Sequence, residues 1–324
     1  MSDSLIILFV AFLADLYLGD PVYPLHPVRL IGRLIRGCEV LLERLHLFTL
    51  AGGVVLLISV ISVVISVYAS ISLLLRDYLL IINGFLLYSC LSLKDLVKHG
   101  KRVLNDLENN HLEQARNSVQ RLIGRDASRL DRYGIARAAV ESLAENLVDG
   151  FLAPLFWFCL GSIASYALGF DASVGGILAV LIHKTVNTLD SMVGYKNAHY
   201  QTFGKASARF DDLLNFLPAR LSIPVIAVAA VLCGLDGKGA WKIGWRDRLK
   251  HNSPNAGHAE ATVSGALQIR LNGPGIYPHG LVDKPWLGDG TDLVLTSHLR
   301  KTFTLVYTAA FVAAALFAGG MALI

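Results

Sequence analysis

The chain has 324 residues, of which 54% are hydrophobic and only 17% are charged, and its net charge is +4 at pH 7. Soluble domains are about 25% charged, so this composition excludes an ordinary soluble protein as well as intrinsic disorder. With only 4 cysteines in 324 residues, a disulfide scaffold is also excluded. The cysteines lie in or beside apolar runs without CxxC spacing, which is typical of reduced apolar side chains.

Basic residues are segregated along the chain. Of the 29 lysines and arginines, all but Arg76 and Lys184 lie in segments 20–47, 94–150, 188–220 and 236–301. This distribution follows the positive-inside rule of membrane proteins and predicts that these loops face the cytoplasm. A nucleic-acid interface is the alternative, but acidic residues are interleaved throughout the same loops.

Several apolar runs alternate with these loops. A membrane-spanning helix needs about 20 residues, and the uncharged segments 48–75 and 303–324 meet this length outright. Further membrane helices are predicted at 4–19, 78–93, 151–170 and 171–187. Segment 4–19 lacks the basic start of a signal peptide, so we expect a retained helix. Segment 221–235 is expected to be re-entrant, because a full crossing would move the basic segment 236–301 outside.

The predicted fold class is therefore all-α, a polytopic helical integral membrane protein with helical cytoplasmic loops and one membrane-embedded domain over 1–324. A tight turn is predicted at 73–78. Segment 94–122 alternates apolar and charged residues at helical spacing, which predicts an amphipathic hairpin near the membrane. Segment 270–296 is rich in glycine and proline and is expected to be loop.

Polar residues concentrate in four strings beside the apolar runs. The first contains Asp15, Asp20, His26 and Arg29. A carboxylate inside a membrane helix costs about 2.5–3.5 kcal/mol near the centre, so Asp15 is expected at the interface or beside a partner. We predict that His26 and Arg29 contact a ligand or phosphate, whereas Asp20 belongs equally well to a turn.

The second string contains Glu141, Glu145 and Asp149, which follow one another at i, i+4 and i+8 and so share one helical face. Three carboxylates in a row repel one another. Arg137 lies four residues before Glu141, but Glu145 and Asp149 have no such basic neighbour. A bound Mg²⁺ is the physical remedy, so these three residues are predicted metal ligands; an exposed acidic face is the alternative.

The third string contains Lys184, Asp190, Lys196 and Arg209, followed by Asp211 and Asp212. Lys184 ends an apolar run, where an unpaired ammonium is costly, so Asp190, Asp15 or a substrate phosphate is expected beside it. The Asp211–Asp212 pair is a second candidate site for a metal or an amine.

The fourth string contains Ser253, Asn255 and Gly257, which form a turn before a helix of small residues expected to end near Leu271. The free amides and the dipole of a helix start suit phosphate. The spacing of His251 and His258 matches no zinc pattern, and neither a Walker A loop nor a GxGxxG fingerprint is present.

These strings support two classes of function. One is an enzyme that uses a nucleotide with Mg²⁺, and the other is a transporter or receptor for an anionic solute. Transporters place polar groups near the middle of several spans, whereas here they lie at helix ends and in loops. The sequence therefore favours the enzyme.

Four long segments carry a resemblance that covers nearly the whole chain: DLYLGDPVYPLHPVRLIGRLI at 15–35, GIARAAVESLAENLVDGFLAPLFWF at 134–158, KTVNTLDSMVGYKNAHYQTFGKASARFDDLLNFLPARL at 184–221 and HNSPNAGHAEATVSGALQIRLNGPGIY at 251–277. In these segments the chain resembles the CbiB/CobD family of cobalamin biosynthesis, the adenosylcobinamide-phosphate synthases. It departs from the family pattern at His258 and at His199-Tyr200. A sensor of the AmpE-like family, which shares the layout, is disfavoured by the NTLDSMVGYKN and SPNAG strings.

The resemblance implies an inner-membrane ligase, with its active site facing the cytoplasm. ATP would drive amide formation between the propionate of (adenosyl)cobyric acid and aminopropanol or its O-phosphate, with the corrinoid as substrate. We expect Mg²⁺ at Glu141, Glu145, Asp149 and Asp190, and phosphate contacts from Lys184, Lys196, Arg209 and the Ser253–Gly257 turn. Asp211 or Asp212 is expected to bind the incoming ammonium. Nucleic acid is not expected as a partner, whereas other membrane enzymes of the pathway are possible partners.

Overall fold

A computed structural model describes residues 1–20, 23–124, 126–195, 197–277, 280–282 and 284–324. Its helices are α1 Ser2–Leu18, α2 Pro27–Arg44, α3 Leu50–Leu74, α4 Leu79–Cys90, α5 Leu93–Glu108, α6 Leu112–Gln120, α7 Arg132–Leu147, α8 Ala153–Ala167, α9 Ala172–Val193, α10 Lys205–Leu214, α11 Phe216–Leu232, α12 Gly237–Asp247, α13 Ala256–Leu267 and α14 Thr296–Ala322. Short strands are β1 Leu271–Asn272, β2 Gly275–Tyr277, β3 Gly280–Val282 and β4 Trp286–Leu287. The protein is thus all-α, as the sequence predicts.

Within the described residues, 5 helices are long and apolar enough to cross a membrane. They are Leu50–Leu74, Arg76–Glu108, Arg132–Ala167, Ala172–Val193 and Thr296–Ala322. The pair α10 and α11 passes the same test only when taken together, as a broken span or a re-entrant loop, whereas α1 has 17 residues and is not among the five. The protein is therefore a multi-pass membrane protein.

Several predicted boundaries need correction. Helix α9 runs to Val193, so residues 188–193 are helical although they were predicted as loop. The turn after α3 is a 3₁₀ helix over Arg76–Tyr78. Segment 270–296 is not all loop, because β1 pairs with β4 and β2 with β3, both antiparallel. The helix of small residues ends at Leu267, because Gln268 takes a left-handed conformation with φ of 55°. The hairpin predicted at 94–122 is confirmed as α5 and α6.

Side-chain caps explain where several helices begin. Asp131 accepts the Gly134 amide at 2.7 Å before α7, and Asp171 accepts the Val174 amide at 3.0 Å before α9. Asp236 accepts the Gly239 amide at 2.7 Å before α12. Each cap satisfies an amide that the first helical turn leaves without a partner.

The chain divides into two compact units. The first comprises 1–92, 153–215 and 314–324, and its core includes residues from α2, α3 and α9. Phe203 lies in this core and stacks on Phe48 at 4.0 Å between ring centroids. The Phe203 carbonyl packs directly on Gly53, where a Cβ would overlap it, so glycine permits the close approach that holds the end of α9 beside α3.

The second unit comprises 93–152 and 216–313. At its centre α13 is buried along its whole length, packed against α7, α11 and α12. Its alanines, glycines and serines allow this packing: Gly265 lies so close to the Gly239 carbonyl that a side chain at either position would clash. Small residues let helix backbones approach closely, which explains the composition of the segment.

An ion-pair network around the buried Asp247 holds the β4 end of this unit. Asp247 is fully buried and pairs with Arg246 and Lys250, both at 2.7 Å, and it accepts the Gly288 amide at 2.9 Å. Burial opposes the charged form, but the hydrogen bonds from these three groups outweigh it and hold the pKa of Asp247 below its usual value.

Replacing Asp247→Asn is expected to lower the free energy of unfolding by about 1–3 kcal/mol at neutral pH, since hydrogen bonds to a charged group are lost. Because the folded pKa is depressed, this contribution is present at neutral pH and is lost as the pH falls below about 4. Denaturant unfolding should therefore show the two proteins converging in acid. Asp289→Asn, at an exposed partner of Arg246, should change stability little, and an equal loss in both variants would contradict the role of Asp247.

Candidate functional site

The polar end of α9 meets α10 in the first unit, and acidic side chains gather there. Asp211 is buried, and its carboxyl accepts hydrogen bonds from Asn215 Nδ2 at 3.0 Å and from Asn187 Nδ2 at 3.4 Å. It also interacts electrostatically with the carboxyls of Asp190 and Asp212. Like charges this close repel, so the α9–α10 cluster, as we call these residues together with His183, favours a bound cation or ammonium group.

His183 extends the cluster into the core of the first unit. Its ring is fully buried, and Nε2 lies 3.0 Å from Asn215 Oδ1. Since Asn215 donates to Asp211 through Nδ2, its Oδ1 must accept, and Nε2 of His183 carries the proton. His183 Nδ1 has no hydrogen-bond partner among the described residues, and neither do the nearby hydroxyls of Thr185 and Ser207.

Replacing Asn215→Leu is expected to cost about 1–3 kcal/mol of stability, because Asp211 and His183 each lose a buried partner. Turnover should fall as well, since the orientation of the Asp211 carboxyl depends on this amide. Thermal unfolding and an activity assay measure the two effects. Asn109→Leu, at an exposed position, is the matched control, and an unchanged Asn215→Leu protein would contradict this network.

Gly194 explains part of the motif that follows Asp190. Its amide donates to the Asp190 carbonyl at 2.7 Å, and a Cβ at Gly194 would overlap the Asp190 carboxyl. The glycine therefore leaves room for the Asp190 side chain at the end of α9. Within the same motif, Lys196 lies outside the described residues, so its predicted role stays a prediction.

Two residues of the first string pair with each other in the first unit. Asp20 Oδ1 lies 2.7 Å from Nε2 of the buried His26. Asp20 and Lys184 each act electrostatically on Cys90, at the end of α4. The anionic partner expected for Lys184, which was Asp190, Asp15 or a phosphate, stays a prediction. Asp15 itself is buried.

Two predicted phosphate ligands lie on the surface. Arg29 of α2 and Arg209 of α10 are both exposed.

The Tyr200 hydroxyl donates to Glu39 Oε1 at 2.7 Å, and this bond raises the pKa of Tyr200 to about 12. Tyr200 therefore joins α2 to the segment after α9, a structural role within the motif.

The second unit contains a polar pocket of about 250 Å³. Glu141, Glu145 and Glu260 line it together with Ser142, His251, Asn272, Lys284 and the 122–124 backbone segment. Glu260 is buried, and its Oε1 lies 3.9 Å from His251 Nε2. We call this the α7–α13 pocket; its carboxylates, imidazole and ammonium can bind cations and anions side by side.

The predicted acidic row on α7 is only partly retained. Glu141 and Glu145 line the pocket, and Glu141 Oε1 accepts the Asn272 amide at 2.7 Å, which ties β1 to α7. Asp149 lies in a π-helical turn over Val148–Leu152 and does not line the pocket. A π turn changes the angular spacing of residues, so the regular i+8 register assumed from the sequence does not apply. Arg137, the basic residue four positions before Glu141, lies over the Trp286 ring, with 4.9 Å between its guanidinium carbon and the ring centroid.

The Ser253–Gly257 turn caps α13. Ser253 Oγ accepts the amides of Asn255 at 3.2 Å and Ala256 at 3.3 Å. Gly257 packs on the Arg248 carbonyl, where a Cβ would clash. Two of the amides expected to bind phosphate are thus used within the turn, and phosphate binding by Ser253, Asn255 and Gly257 stays a prediction.

His258, a departure from the family pattern, follows this turn. It is fully buried, and its Nδ1 lies 3.1 Å from the Asn255 carbonyl. Burial and the charges of Arg220 and Arg248 lower its pKa to about 4. The ring is therefore neutral at pH 7 and serves the packing of the turn.

The described residues include no group of three or more His, Cys, Asp or Glu side chains placed to hold a metal ion. The sequence assigned no role to several residues of these sites: Asn187 and Asn215 in the α9–α10 cluster, and Glu260, Asn272 and Lys284 in the α7–α13 pocket. A lone glutamate in a helix of alanine, glycine and serine was a signal for Glu260. Asn272 and Lys284 have no local signal, because only the tertiary fold brings them to α7.

The helical fold, the α9–α10 cluster and the α7–α13 pocket define a polytopic helical membrane protein with ionisable and hydrogen-bonding side chains gathered in two sites. Comparison with known proteins identifies the family, because the family model described as CobD/Cbib protein matches residues 8–306. The chain belongs to the CobD/CbiB family. No solved structure matches it.

Similar proteins include "Cobalamin biosynthesis protein CobD" of Desulfotalea psychrophila, 40% identical over 316 residues, with 96% of each chain covered. The protein of the same name from Klebsiella pneumoniae is 39% identical over 318 residues, covering 96% of this chain and 95% of that one. "Cobalamin biosynthesis protein CbiB" of Salmonella arizonae is 38% identical over 315 residues, covering 95% and 94%.

Proposed function

We propose that this protein is an ATP-dependent acid–amine ligase of cobalamin biosynthesis. It would join the propionate carboxylate of (adenosyl)cobyric acid to 1-amino-2-propanol or its O-phosphate. Membership of the CobD/CbiB family and relatives named as cobalamin biosynthesis proteins support the pathway. The observation that carries the reaction type is the α9–α10 cluster, which gathers the carboxyls of Asp190, Asp211 and Asp212 where α9 meets α10.

The chemistry requires activation, because a carboxylate does not condense with an amine at neutral pH. In the proposed reaction a carboxylate oxygen attacks the γ-phosphorus of ATP, forming an acyl phosphate and releasing ADP. The amine nitrogen then attacks the acyl carbon, the C–O bond to phosphate breaks, and phosphate leaves. The amine must lose a proton before or during this step, which a nearby carboxylate can accept.

The α9–α10 cluster suits the amine half of this reaction. Asp211 and Asp212 supply carboxyl oxygens that would bind an ammonium group, and a carboxylate is a suitable base for its proton. Lys184, Lys196 and Arg209 would contact phosphate oxygens and stabilise the charge that develops in transfer. His26 and Arg29 belong to the same proposal as phosphate contacts.

Carboxylates in both units suit Mg²⁺, which commonly uses one or two protein carboxylates together with substrate phosphates and water. Glu141 and Glu145 are the proposed ligands in the second unit, and Asp190 is proposed as a ligand within the first. Asp149, which does not line the α7–α13 pocket, stays a prediction from the sequence. When bound, Mg²⁺ neutralises charge on the ATP phosphates. The carboxylates would hold the ion, and its positive charge would offset their mutual repulsion.

A condensation assay tests the proposal. Detergent-solubilised protein is mixed with cobyric acid, aminopropanol phosphate, ATP and Mg²⁺, and the corrinoid product is examined by mass and charge. We expect an ATP-dependent product of the amide mass, with none when ATP is omitted. No product from folded protein, with both amines and both corrinoid forms tried, would contradict the ligase and favour a sensor or transporter of an anionic solute.

We further propose an inner-membrane location with the basic loops in the cytoplasm, following the segregation of lysine and arginine. In a cysteine-free background, Asp77→Cys and Leu168→Cys are expected to react with an impermeant thiol reagent added outside the membrane. Lys98→Cys and Lys238→Cys should react only after the membrane is opened. All four side chains are exposed, so the labelling pattern reports the membrane side directly, and the reverse pattern would contradict this orientation.

A further inference from the structure

One face of α5 carries a row of cations. Lys98 lies four residues after Lys94, and Lys101 and Arg102 lie three and four residues after Lys98, which places all four on the same side of the helix. All but Lys94 are exposed, whereas the opposite face, with Val103 and Leu107 among its residues, is buried. Like charges at this spacing repel one another, so the row favours an anionic partner.

Acidic residues nearby compensate this charge only in part. Lys98 pairs with Asp95 at 3.7 Å, and Asp106 accepts a hydrogen bond from Ser118 Oγ at 2.6 Å. On the adjoining helix, Arg300 forms a two-pronged ion pair with Glu108. Among the residues that the structure describes, Lys101 and Arg102 have no acidic partner, so a positive excess remains on this part of α5.

The cationic row borders two adjoining cavities between α5 and α14, of about 570 and 600 Å³. Both cavities are lined by Lys101 and Tyr307, so they meet at these residues. The first is lined mainly by basic and polar side chains, and the second combines the aromatic side chains Phe303, Tyr307 and Phe311 with Lys101 and Arg300. Helices α5 and α14 pack closely at Gly100, where a Cβ would lie 2.7 Å from Phe303 Cε1.

The sequence places this groove at the edge of the membrane. The uncharged segment 79–93 directly precedes the cations of α5, and the uncharged segment 303–324 directly follows Arg300 and Lys301. Both helices belong to candidate membrane spans. The cations that line the two cavities therefore lie beside the ends of uncharged segments, which is where lipid headgroups are expected.

We propose that the α5–α14 groove, formed by the residues lining these two cavities, binds an anionic phospholipid. The phosphate of its headgroup would contact Lys98, Lys101 and Arg102, and an acyl chain would lie along Phe303, Tyr307 and Phe311. Basic pockets beside membrane helices are a recognised way of binding anionic lipids. A soluble phosphate would use the cations alone and leave the apolar half of the groove without a role.

The test compares phosphatidylglycerol with phosphatidylcholine of the same acyl chains, each added in mixed micelles to the purified full chain. Two measurements are made: the midpoint of thermal unfolding and the number of lipids retained in native mass spectrometry. Lys98→Gln/Lys101→Gln removes two cations from the groove. Lys238→Gln/Lys242→Gln removes two exposed cations from α12 and is the matched control.

Phosphatidylglycerol is expected to raise the midpoint of the wild type and the control by about 2–4 °C more than phosphatidylcholine does. The groove variant should lose at least half of this difference and retain fewer anionic lipids. Equal loss in both variants would mean a general charge effect and would overturn the proposal. Equal stabilisation of the wild type by glycerol phosphate, which has no acyl chains, would overturn it in favour of a soluble anion.

Discussion

Asp190→Asn is expected to lower turnover by about 100-fold or more while leaving the fold intact. The Asp190 carboxyl interacts electrostatically with the Asp211 carboxyl, and it lies so close to Gly194 that a Cβ there would overlap it. The amide has nearly the same shape, so packing is retained. Removing one of two repelling charges also predicts an unfolding midpoint that is unchanged or raised. Initial rates of the condensation and a thermal melt measure the two effects separately.

The combination of lost turnover and retained stability separates a chemical role of Asp190 from a structural one. Glu113→Gln makes the same change of charge at an exposed pair with Arg116 and should leave both measurements unchanged. Wild-type turnover in Asp190→Asn would exclude this carboxylate from the reaction. A variant that loses both turnover and stability would instead indicate that Asp190 supports the fold.

Glu145→Gln is expected to lower turnover by a similar factor, again about 100-fold or more. Glu145 is exposed at the α7–α13 pocket, beside Glu141 and Glu260. If these carboxylates hold Mg²⁺, the variant should also need more Mg²⁺ for half-maximal rate. The measurement is a titration of Mg²⁺ at saturating ATP, with thermal unfolding recorded on the same preparations.

Glu141 shows how a structural and a chemical role can be distinguished in this pocket. Glu141→Gln keeps an oxygen that can accept the Asn272 amide, whereas Glu141→Ala loses it and should cost about 1–3 kcal/mol. A Mg²⁺ requirement raised in Glu141→Gln and Glu145→Gln alike would support a shared site. An unchanged requirement in Glu145→Gln would exclude this residue as a metal ligand.

Much of the architecture could be predicted because the responsible signals are local. The uncharged runs that form α3 and α14 can be predicted as helices from their composition alone. In lipid, backbone amides and carbonyls must hydrogen-bond within the protein, and a helix pairs them within one segment. The hairpin of α5 and α6 follows from its helical spacing of apolar residues. The predicted helix boundaries were less accurate. Helix α9 continues through Asp190 to Val193, because one face of its last turns is apolar and packs against α2 and α3, although the other face is polar.

The candidate sites were predicted only in part. Asp190, Asp211 and Asp212 were identified by their density in one string, and the structure brings them together. Glu141 and Glu145 were identified by spacing, but the π turn removes Asp149 from their register. The roles of Asn215, Asn272 and Lys284 could not be predicted, because each depends on a residue far away in sequence. Asn215 contacts His183, and Asn272 and Lys284 line a pocket with Glu141.

The sequence by itself determined the class of this protein: its helical membrane spans, its basic loops and, through four long motifs, its membership of the CobD/CbiB family. These properties depend on composition and on the order of residues, which are visible without coordinates. The tertiary structure alone decided which polar residues meet. Such contacts depend on close approaches such as that of Gly53 to Phe203, and on partners as remote as Glu141 and Asn272, for which the chain carries no local pattern.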